Sequence, residues 1–168
     1  LETRVGHDVT LKTTGANNAV GASSLPIRVR VTSLKAVAGA GGDVYISSWD
    51  GGLYKIAVSD GQIQWRADLG SPSQSSPTVW AEKDLVVGAT KAGAVHGVSA
   101  SSGKRKWRVQ FEPSPNNAVS SATLITGMKD GILAIGCGAV GLCFLDAAGK
   151  ISFQHRLRGR LTGVPVFH

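Results

Sequence analysis

A short repeat constrains the fold of this chain more than any other sequence feature. Three times, a glycine is followed four positions later by a large aromatic residue. The copies are Gly61-Gln-Ile-Gln-Trp65, Gly103-Lys-Arg-Lys-Trp107 and Gly149-Lys-Ile-Ser-Phe153. The aromatic residues recur after 42 and then 46 positions, a period that is typical of a four-stranded β-propeller blade. The repeat therefore predicts an all-β chain built from propeller blades of four antiparallel strands.

Glycine-rich turns separate short apolar runs along the chain. Glycine accounts for 22 of the 168 residues, where about 7% is usual. No window of about 11–18 residues places apolar side chains at helical spacing, and strand-like alternation dominates instead. In the second repeat we expect strands over residues 75–80, 85–90, 94–100 and 104–111, each bounded by turn residues. The other two repeats follow the same order.

These strands group into consecutive blades. We expect blade 1 over residues 35–70, blade 2 over 71–113, blade 3 over 114–160, and the first strand of a further blade over 161–168. Residues 1–34 are an irregular start, for which one interpretation is a strand of a preceding blade. The first strand of blade 1 lies either in residues 23–27 or in 32–40. Because propellers have about 4–8 blades, three blades predict an incomplete ring.

An incomplete ring leaves apolar faces and strand edges uncovered. Three arrangements would cover these surfaces. The chain is part of a larger propeller, copies associate through the open blade edges, or residues 1–34 complete a fourth blade. The chain begins with Leu1 rather than Met, so we expect a processed chain or a fragment. Its compartment is therefore not predicted. No apolar run approaches the roughly 18 residues of a membrane span.

Alternation along the fourth strands explains the aromatic residues of the repeat. With a side-chain period of two, they face the neighbouring blade while basic residues face solvent. A buried tryptophan or phenylalanine removes about 150–250 Å² from water, so these residues are predicted to hold blades together. The predicted docking residues are Gly61, Trp65, Gly103, Trp107, Gly149 and Phe153.

The opposite face of the fourth strands is basic. The chain has a net charge of +7, and we expect this face to form a positive rim on the outer edge of the blades. The rim residues are Lys104, Lys106, Arg108, Arg156, Arg158 and Arg160. A positive rim can bind an anionic partner, but we favour protection of the strand edges against aggregation. Nothing in the pattern predicts specific nucleic-acid recognition.

The sequence around each repeat resembles a known family. The segments are Ala57-Val-Ser-Asp-Gly61-Gln-Ile-Gln-Trp65, Val98-Ser-Ala-Ser-Ser-Gly103-Lys-Arg-Lys-Trp107 and Leu145-Asp-Ala-Ala-Gly149-Lys-Ile-Ser-Phe153. They are similar to the quinoprotein-like, or pyrroloquinoline-quinone, propeller repeats over about residues 36–168. The glycine-to-aromatic core of that motif is present three times, whereas its threonine and most of its aspartates are replaced.

The resemblance implies three functions. The first, which we favour, is a non-catalytic scaffold for protein–protein interaction, as in outer-membrane assembly lipoproteins. The second is an accessory propeller of an acyl-adenylating enzyme of the β-alanine-activating type. The third is a piece of a quinone-dependent dehydrogenase, an enzyme class that uses a complete ring, a calcium ion held by Glu and Asn, an Asp base and often a disulfide between adjacent cysteines. Here the two cysteines are six positions apart, and we predict no cofactor and no catalytic residue.

Two other patterns have competing interpretations. Gly136-Cys-Gly-Ala-Val-Gly141 matches a dinucleotide-binding fingerprint, but an alternating strand follows it instead of a helix, which favours a glycine-rich hairpin. Within it, Cys137 and Cys143 are predicted to be two small buried apolar residues. The alternative is a cross-strand disulfide, which needs α-carbons about 4.4–6.8 Å apart. His155, on the aromatic face of its strand, is predicted to be packed, and no histidine pair has metal-binding spacing.

Overall fold

Three four-stranded antiparallel sheets follow one another along the chain. The computed structural model describes residues 36–38 by their backbone, and residues 42–112, 120–127, 130–138 and 141–157. In each sheet the strands lie in sequence order, which is the topology of a propeller blade. The predicted fold class, an all-β partial propeller, is confirmed. The predictions for residues 1–34 and 161–168, and for Arg158 and Arg160, lie outside the described residues.

The strands have the lengths expected of short blade strands. Blade 1 consists of β1 (Ala36–Ala38), β2 (Asp43–Ser47), β3 (Gly52–Ala57) and β4 (Ile63–Asp68). Blade 2 consists of β5 (Thr78–Trp80), β6 (Leu85–Ala89), β7 (Ala94–Ser99) and β8 (Arg105–Gln110), with a short 3-10 turn at Ala81–Lys83. Blade 3 consists of β9 (Thr123–Ile125), β10 (Ile132–Gly136), β11 (Gly141–Leu145) and β12 (Ile151–Arg156). Of the two candidate first strands of blade 1, the one in residues 32–40 contains β1.

The core lies between the blades. One apolar cluster joins blades 1 and 2, and a second joins blades 2 and 3. Every residue of β6 and β7 is buried, because blade 2 is covered on both faces. Each of these two clusters contains residues from two adjacent blades, whereas a third, smaller cluster around Ile125, Ile132 and Ala134 contains residues of blade 3 alone. The burial of apolar surface therefore holds the blades together.

An irregularity recurs between the third and fourth strands of every blade. The pairing shifts by one residue at Lys55/Ile56, Gly97/Val98 and Phe144/Leu145. In each case the first residue of the pair lies opposite the aromatic residue of the repeat. Bulges of this kind change the direction of a strand and of its side chains. The sequence repeat is thus matched by a repeat in the backbone.

The glycine-rich segment after β10 is a hairpin. Strands β10 and β11 pair antiparallel, with Ile135 opposite Cys143 and Gly136 opposite Leu142. No helix begins at this segment among the described residues, so the dinucleotide fingerprint has none of the geometry that would hold a pyrophosphate. The hairpin interpretation is correct.

The favoured interpretation of the two cysteines is wrong, because they form a disulfide. Cys137 and Cys143 are bonded, with their α-carbons 5.8 Å apart. Both residues are fully buried in the cluster between blades 2 and 3. The hairpin brings the two residues within the distance that a disulfide allows, and sequence separation alone did not reveal this proximity.

Candidate protein-interaction site

The ring of Trp65 joins blade 1 to blade 2. Strand β4 carries Trp65 onto the turn that precedes β8, where its Nε1–H donates to the carbonyl oxygen of Ala100 at 3.1 Å. The ring lies on Gly103, where an added β-carbon would come within 2.8 Å of the indole Cγ. Gly103 also has a φ of +72°, which L side chains adopt only with strain. The contact therefore requires glycine at this position.

Trp107 repeats this arrangement between blades 2 and 3. Its Nε1–H donates to the carbonyl oxygen of Ala147 at 2.9 Å. An added β-carbon at Gly149 would come within 2.5 Å of the indole Cδ2. Gly97, opposite Trp107 in its own blade, leaves room for the other side of the ring. We call this arrangement the docking contact: an aromatic ring of one blade on a glycine of the next, with an indole N–H on a carbonyl just before that glycine.

A further tryptophan makes a similar contact that the sequence analysis missed. Trp80, at the end of β5, is 3% exposed and packs on Gly131 of blade 3, where an added β-carbon would come within 2.6 Å of its ring. Trp80 lies outside the glycine-to-aromatic repeat. One sequence signal could have indicated this contact. A glycine precedes the second strand at Gly42 in blade 1 and at Gly131 in blade 3.

Serine hydroxyls add polar links between the first strands of blades 2 and 3. The main-chain N–H of Ser76 donates to Oγ of Ser121 at 2.7 Å. The hydroxyl of Thr78 donates to the carbonyl oxygen of Ala122 at 2.6 Å. Strands β5 and β9 line a shallow cleft at this point, and its walls carry hydroxyl and apolar groups but no acid, base or histidine. The cleft therefore offers no residue for acid–base chemistry.

At the ends of the described array, two docking residues have no partner blade. Phe153 of β12 is 52% exposed and stacks on Phe144, with ring centroids 4.2 Å apart. At the opposite end, no atom of the described residues, apart from those of its chain neighbours, lies within 4 Å of the β-carbon position of Gly61. The prediction that Phe153 is buried against a neighbouring blade is not met within the described residues. The prediction of a packed His155 is wrong, because no described blade covers that face and His155 is exposed.

The predicted basic rim is interrupted by internal partners. Lys106 lies 3.3 Å from the carboxylate of Asp84 and also donates to the carbonyl oxygen of Lys83 at 2.9 Å. Arg108 donates to the side chain of Gln110. Lys104 and Arg156 are exposed, on different blades. Among these partners only the Asp84 carboxylate offsets a positive charge, because the Lys83 carbonyl and the Gln110 side chain are neutral.

Asp84, which pairs with Lys106, is itself held by hydrogen bonds. Its carboxylate accepts hydrogen bonds from the Ser99 hydroxyl at 2.7 Å and from the Ser101 main chain at 2.7 Å. These hydrogen bonds, the one from Ser99 above all, lower the pKa of Asp84 to about 2. A carboxylate held in this way is an ionised structural group rather than a proton donor near neutral pH.

The described residues hold no cluster of His, Cys, Asp and Glu side chains of the kind that binds a metal ion. The disulfide joins cysteines six positions apart rather than adjacent ones. In the part of the chain that the structure describes, no helix is long and apolar enough to cross a membrane.

Comparison with known families decides where the chain belongs. The sequence pattern of the family described as "Outer membrane protein assembly factor BamB" matches residues 12–166, which is most of the chain. This chain belongs to the BamB family. The BamB match confirms the resemblance to quinoprotein-like repeats and supports, at a coarse level, a scaffold role in protein interaction. No curated protein matches the chain significantly.

Solved structures with the same fold are longer than this BamB-family chain. BamB from Moraxella catarrhalis has 20% sequence identity and a TM-score of 0.61, over 76% of this chain and 36% of that chain. The computationally designed Ika8 protein has 17% identity and a TM-score of 0.63, over 81% and 40%. A quinohemoprotein alcohol dehydrogenase, ADHIIG from Pseudomonas putida HK5, has 17% identity and a TM-score of 0.55, over 71% and 19%. The matched region is thus less than half of each solved chain, and these likenesses show the fold alone.

Proposed function

We propose that this BamB-family chain is a non-catalytic scaffold for protein–protein interaction, acting as part of a larger propeller or multidomain protein. The observation that carries the proposal is the exposure of apolar side chains on the two outer faces of the blade array. Val58 is 63% exposed and Ile63 42% exposed on blade 1, and Phe153 is 52% exposed on blade 3. Apolar side chains left uncovered at the two ends of the described array are surfaces on which another protein or a further blade can pack.

The environments of the polar groups in the described residues support a non-catalytic role. The Asp84 carboxylate is engaged by Ser99, Ser101 and Lys106. His96 is 1% exposed and lies in the interface between blades 1 and 2, away from solvent. The family name also refers to an assembly factor rather than to an enzyme. The accessory propeller of an acyl-adenylating enzyme stays a prediction that the flanking sequence tests.

Site-specific photo-crosslinking of the full-length protein in its own cell tests the proposal. A photoreactive phenylalanine analogue at position 153 or 58 should form an adduct with a protein chain. The matched control is position 49, because Trp49 is an equally exposed aromatic residue, at 53%, in the turn between β2 and β3. A third probe position at Lys104 tests the basic rim. Absence of protein adducts at all face and rim positions would refute the scaffold role.

A further inference from the structure

The outer strand of blade 2 carries more positive charge than the outer strands of the other two blades. We propose that β8 binds an acidic, extended segment of a partner protein, whose carboxylates pair with Arg105 and Arg108. The proposal rests on the scaffold function and assigns to it one surface and one kind of partner. It concerns the outer edge of the middle blade and not the two ends of the array.

Strand β8 lies away from the places where further blades would add. Blade 2 is packed between blade 1 and blade 3, so a longer propeller would continue from blades 1 and 3. In the sheet of blade 2, β8 comes last and pairs with β7 alone among the described strands. Its residues Arg105, Lys106, Arg108 and Gln110 are exposed. The outer edge of β8 therefore stays on the outside of the array when the ring is longer.

The same stretch of the repeat has a different charge in each of the three blades. Residues 61–68 contain Arg66 and Asp68, whose charges balance, and residues 149–156 contain Lys150 and Arg156. Residues 103–110 contain no acidic residue and four basic ones, which are Lys104, Arg105, Lys106 and Arg108. All three outer strands need charged residues against edge-to-edge aggregation, and they need them equally. Edge protection therefore does not account for the excess on β8.

Two arginines of β8 have no internal carboxylate as a partner. Lys106 pairs with Asp84 at 3.3 Å, whereas neither Arg105 nor Arg108 forms an ion pair with a described carboxylate. Arg108 donates only to the neutral side chain of Gln110. A guanidinium group presents a planar fork of N–H donors that matches the two oxygens of a carboxylate. The two arginines are therefore available to acidic side chains of another chain.

The two arginines also lie near one another in space. Arg108 lies opposite His96 of β7, and the bulge of the pairing leaves Lys106 as an extra residue between Arg105 and Trp107. After burial, the charges of Arg105 and Arg108 contribute most to the low pKa of His96, so both guanidinium groups lie close to this ring. Two neighbouring positive charges without a counter-charge raise the local potential, which the carboxylates of a partner reduce.

The backbone of β8 offers hydrogen-bonding groups at its outer edge. The N–H of Phe111 donates to the carbonyl oxygen of Gly93, just before β7, at 2.9 Å. Because antiparallel pairing alternates along a strand, the N–H and C=O groups of Arg108 and Gln110 are directed away from β7. An extended polypeptide can bond to such an edge, with its alternate side chains along one face. Lipid head groups and nucleic acids have no matching series of N–H and C=O groups, which favours a protein segment.

The remaining residues of this sequence do not supply the acidic segment. Outside the described ranges the sequence contains eight basic residues but only two acidic ones, Glu2 and Asp8. Residues 113–119 contain no charged residue, and residues 158–168 contain two arginines and no acidic residue. None of these stretches has the charge to complement β8, so we assign the acidic segment to another protein.

Fluorescence anisotropy with the full-length protein and a labelled peptide tests the proposal. The peptide repeats Glu-Thr four times, which places its carboxylates on one side of an extended chain. It should bind the wild type, and about 1 M salt, which screens charges beyond roughly 3 Å, should remove most of the binding. Arg105→Glu and Arg108→Glu should each weaken binding by about five- to tenfold. Arg108→Gln, which removes the charge without adding an acid beside His96, should give a smaller loss.

Lys150→Glu is the matched control for these charge reversals. Lys150 follows Gly149 as Lys104 follows Gly103, and it is exposed on the outer side of blade 3. The variant makes the same change of net charge and should bind the peptide as the wild type does. All the variants should keep the circular dichroism spectrum of the wild type. An equal loss of binding in Lys150→Glu would show attraction by net charge alone and would overturn the proposal.

A second peptide, with four consecutive Glu followed by four Thr, distinguishes docking along the edge from attraction by charge. It has the same net charge and should bind more weakly than the alternating peptide. Equal affinity of the two peptides overturns the proposal, as does tighter binding of phosphatidylglycerol vesicles or of oligothymidylate. If neither peptide binds while positions 153 or 58 still crosslink to a protein, this proposal fails and the scaffold function stands.

Discussion

The ring of Trp65 lies so close to Gly103 that an added β-carbon at residue 103 would come within 2.8 Å of the indole Cγ. Gly103 and Gly61 are separated by one repeat and have nearly equal φ values, +72° and +71°. They differ in that a ring covers the first and no described atom lies near the second. A comparison of the same substitution at the two positions therefore distinguishes the free energy of the docking contact from the strain of a left-handed backbone.

We predict that Gly103→Ala destabilises the chain more than Gly61→Ala. Both changes place an alanine at positive φ, which costs about 1–2 kcal/mol. Only Gly103→Ala also forces the Trp65 ring away, and overpacking of this kind adds about 1–3 kcal/mol. Urea unfolding of the two variants measures the difference. Equal losses of stability in the two variants would contradict a tight contact at Gly103.

The indole N–H of Trp107 should contribute to stability separately from its ring. Trp107→Phe keeps a ring on Gly149 but leaves the carbonyl oxygen of Ala147 without this donor, at a cost of about 1 kcal/mol or more. Trp107→Ala also removes the ring and should cost about 3–5 kcal/mol. Phe153→Ala is the matched control, because the ring is 52% exposed, and it should cost much less stability than Trp107→Ala. Urea unfolding of the three variants tests this order.

The strands and the aromatic face could be predicted because both depend on near neighbours in sequence. Alternation along β4 and β8 fixes which side of the sheet Trp65 and Trp107 occupy, and the turn glycines fix where each strand ends. The predicted strand over residues 94–100 differs from β7, Ala94–Ser99, by one residue. Local pattern was therefore sufficient for the blades themselves.

The contacts between blades depend on residues far apart in sequence, and they could not be predicted in the same way. Trp80 meets Gly131 across 51 positions, and no local pattern links the two. The disulfide of Cys137 with Cys143 is local by contrast, since it joins residues six positions apart in one hairpin, and the sequence left it open as an alternative. The exposure of Phe153 depends on which blade covers it. Local sequence specifies that an aromatic residue faces outward from its blade, but not what it meets.

Reduction of the disulfide should destabilise the folded chain. Closing the short loop between Cys137 and Cys143 restricts the unfolded chain, which corresponds to roughly 2 kcal/mol for a loop of this length. We expect a reducing agent to lower the urea midpoint of wild type by a corresponding amount. The double variant Cys137→Ala/Cys143→Ala should be insensitive to the reductant. A wild-type midpoint that is unchanged by verified reduction would contradict the prediction.

His96 should make the chain less stable as the pH falls from about 6.5 to about 4. Its side chain is buried at 1% exposure, and the backbone of Leu69 and the charge of Asp68 offset only part of the effect of burial. Burial, with the nearby charges of Arg105 and Arg108, lowers the pKa of His96 from 6.5 to about 4. In this window the unfolded chain binds a proton that the folded chain does not, so protonation favours unfolding. The unfolding free energy should therefore decrease by about 2–3 kcal/mol across the window.

A variant without the imidazole should lose this part of the pH dependence. His96→Gln keeps a neutral polar side chain, so the difference in unfolding free energy between wild type and variant should change between pH 6.5 and pH 4. Ser47→Ala is the matched control, because Ser47 is buried in the same interface and its Oγ lies near Gly88, the residue opposite His96. This control alters the same interface without removing a titrating group, and it should keep the wild-type slope. If the unfolding free energies of wild type and His96→Gln change in parallel with pH, the prediction is refuted. Such a result would mean that the ring becomes charged without opening the interface between blades 1 and 2.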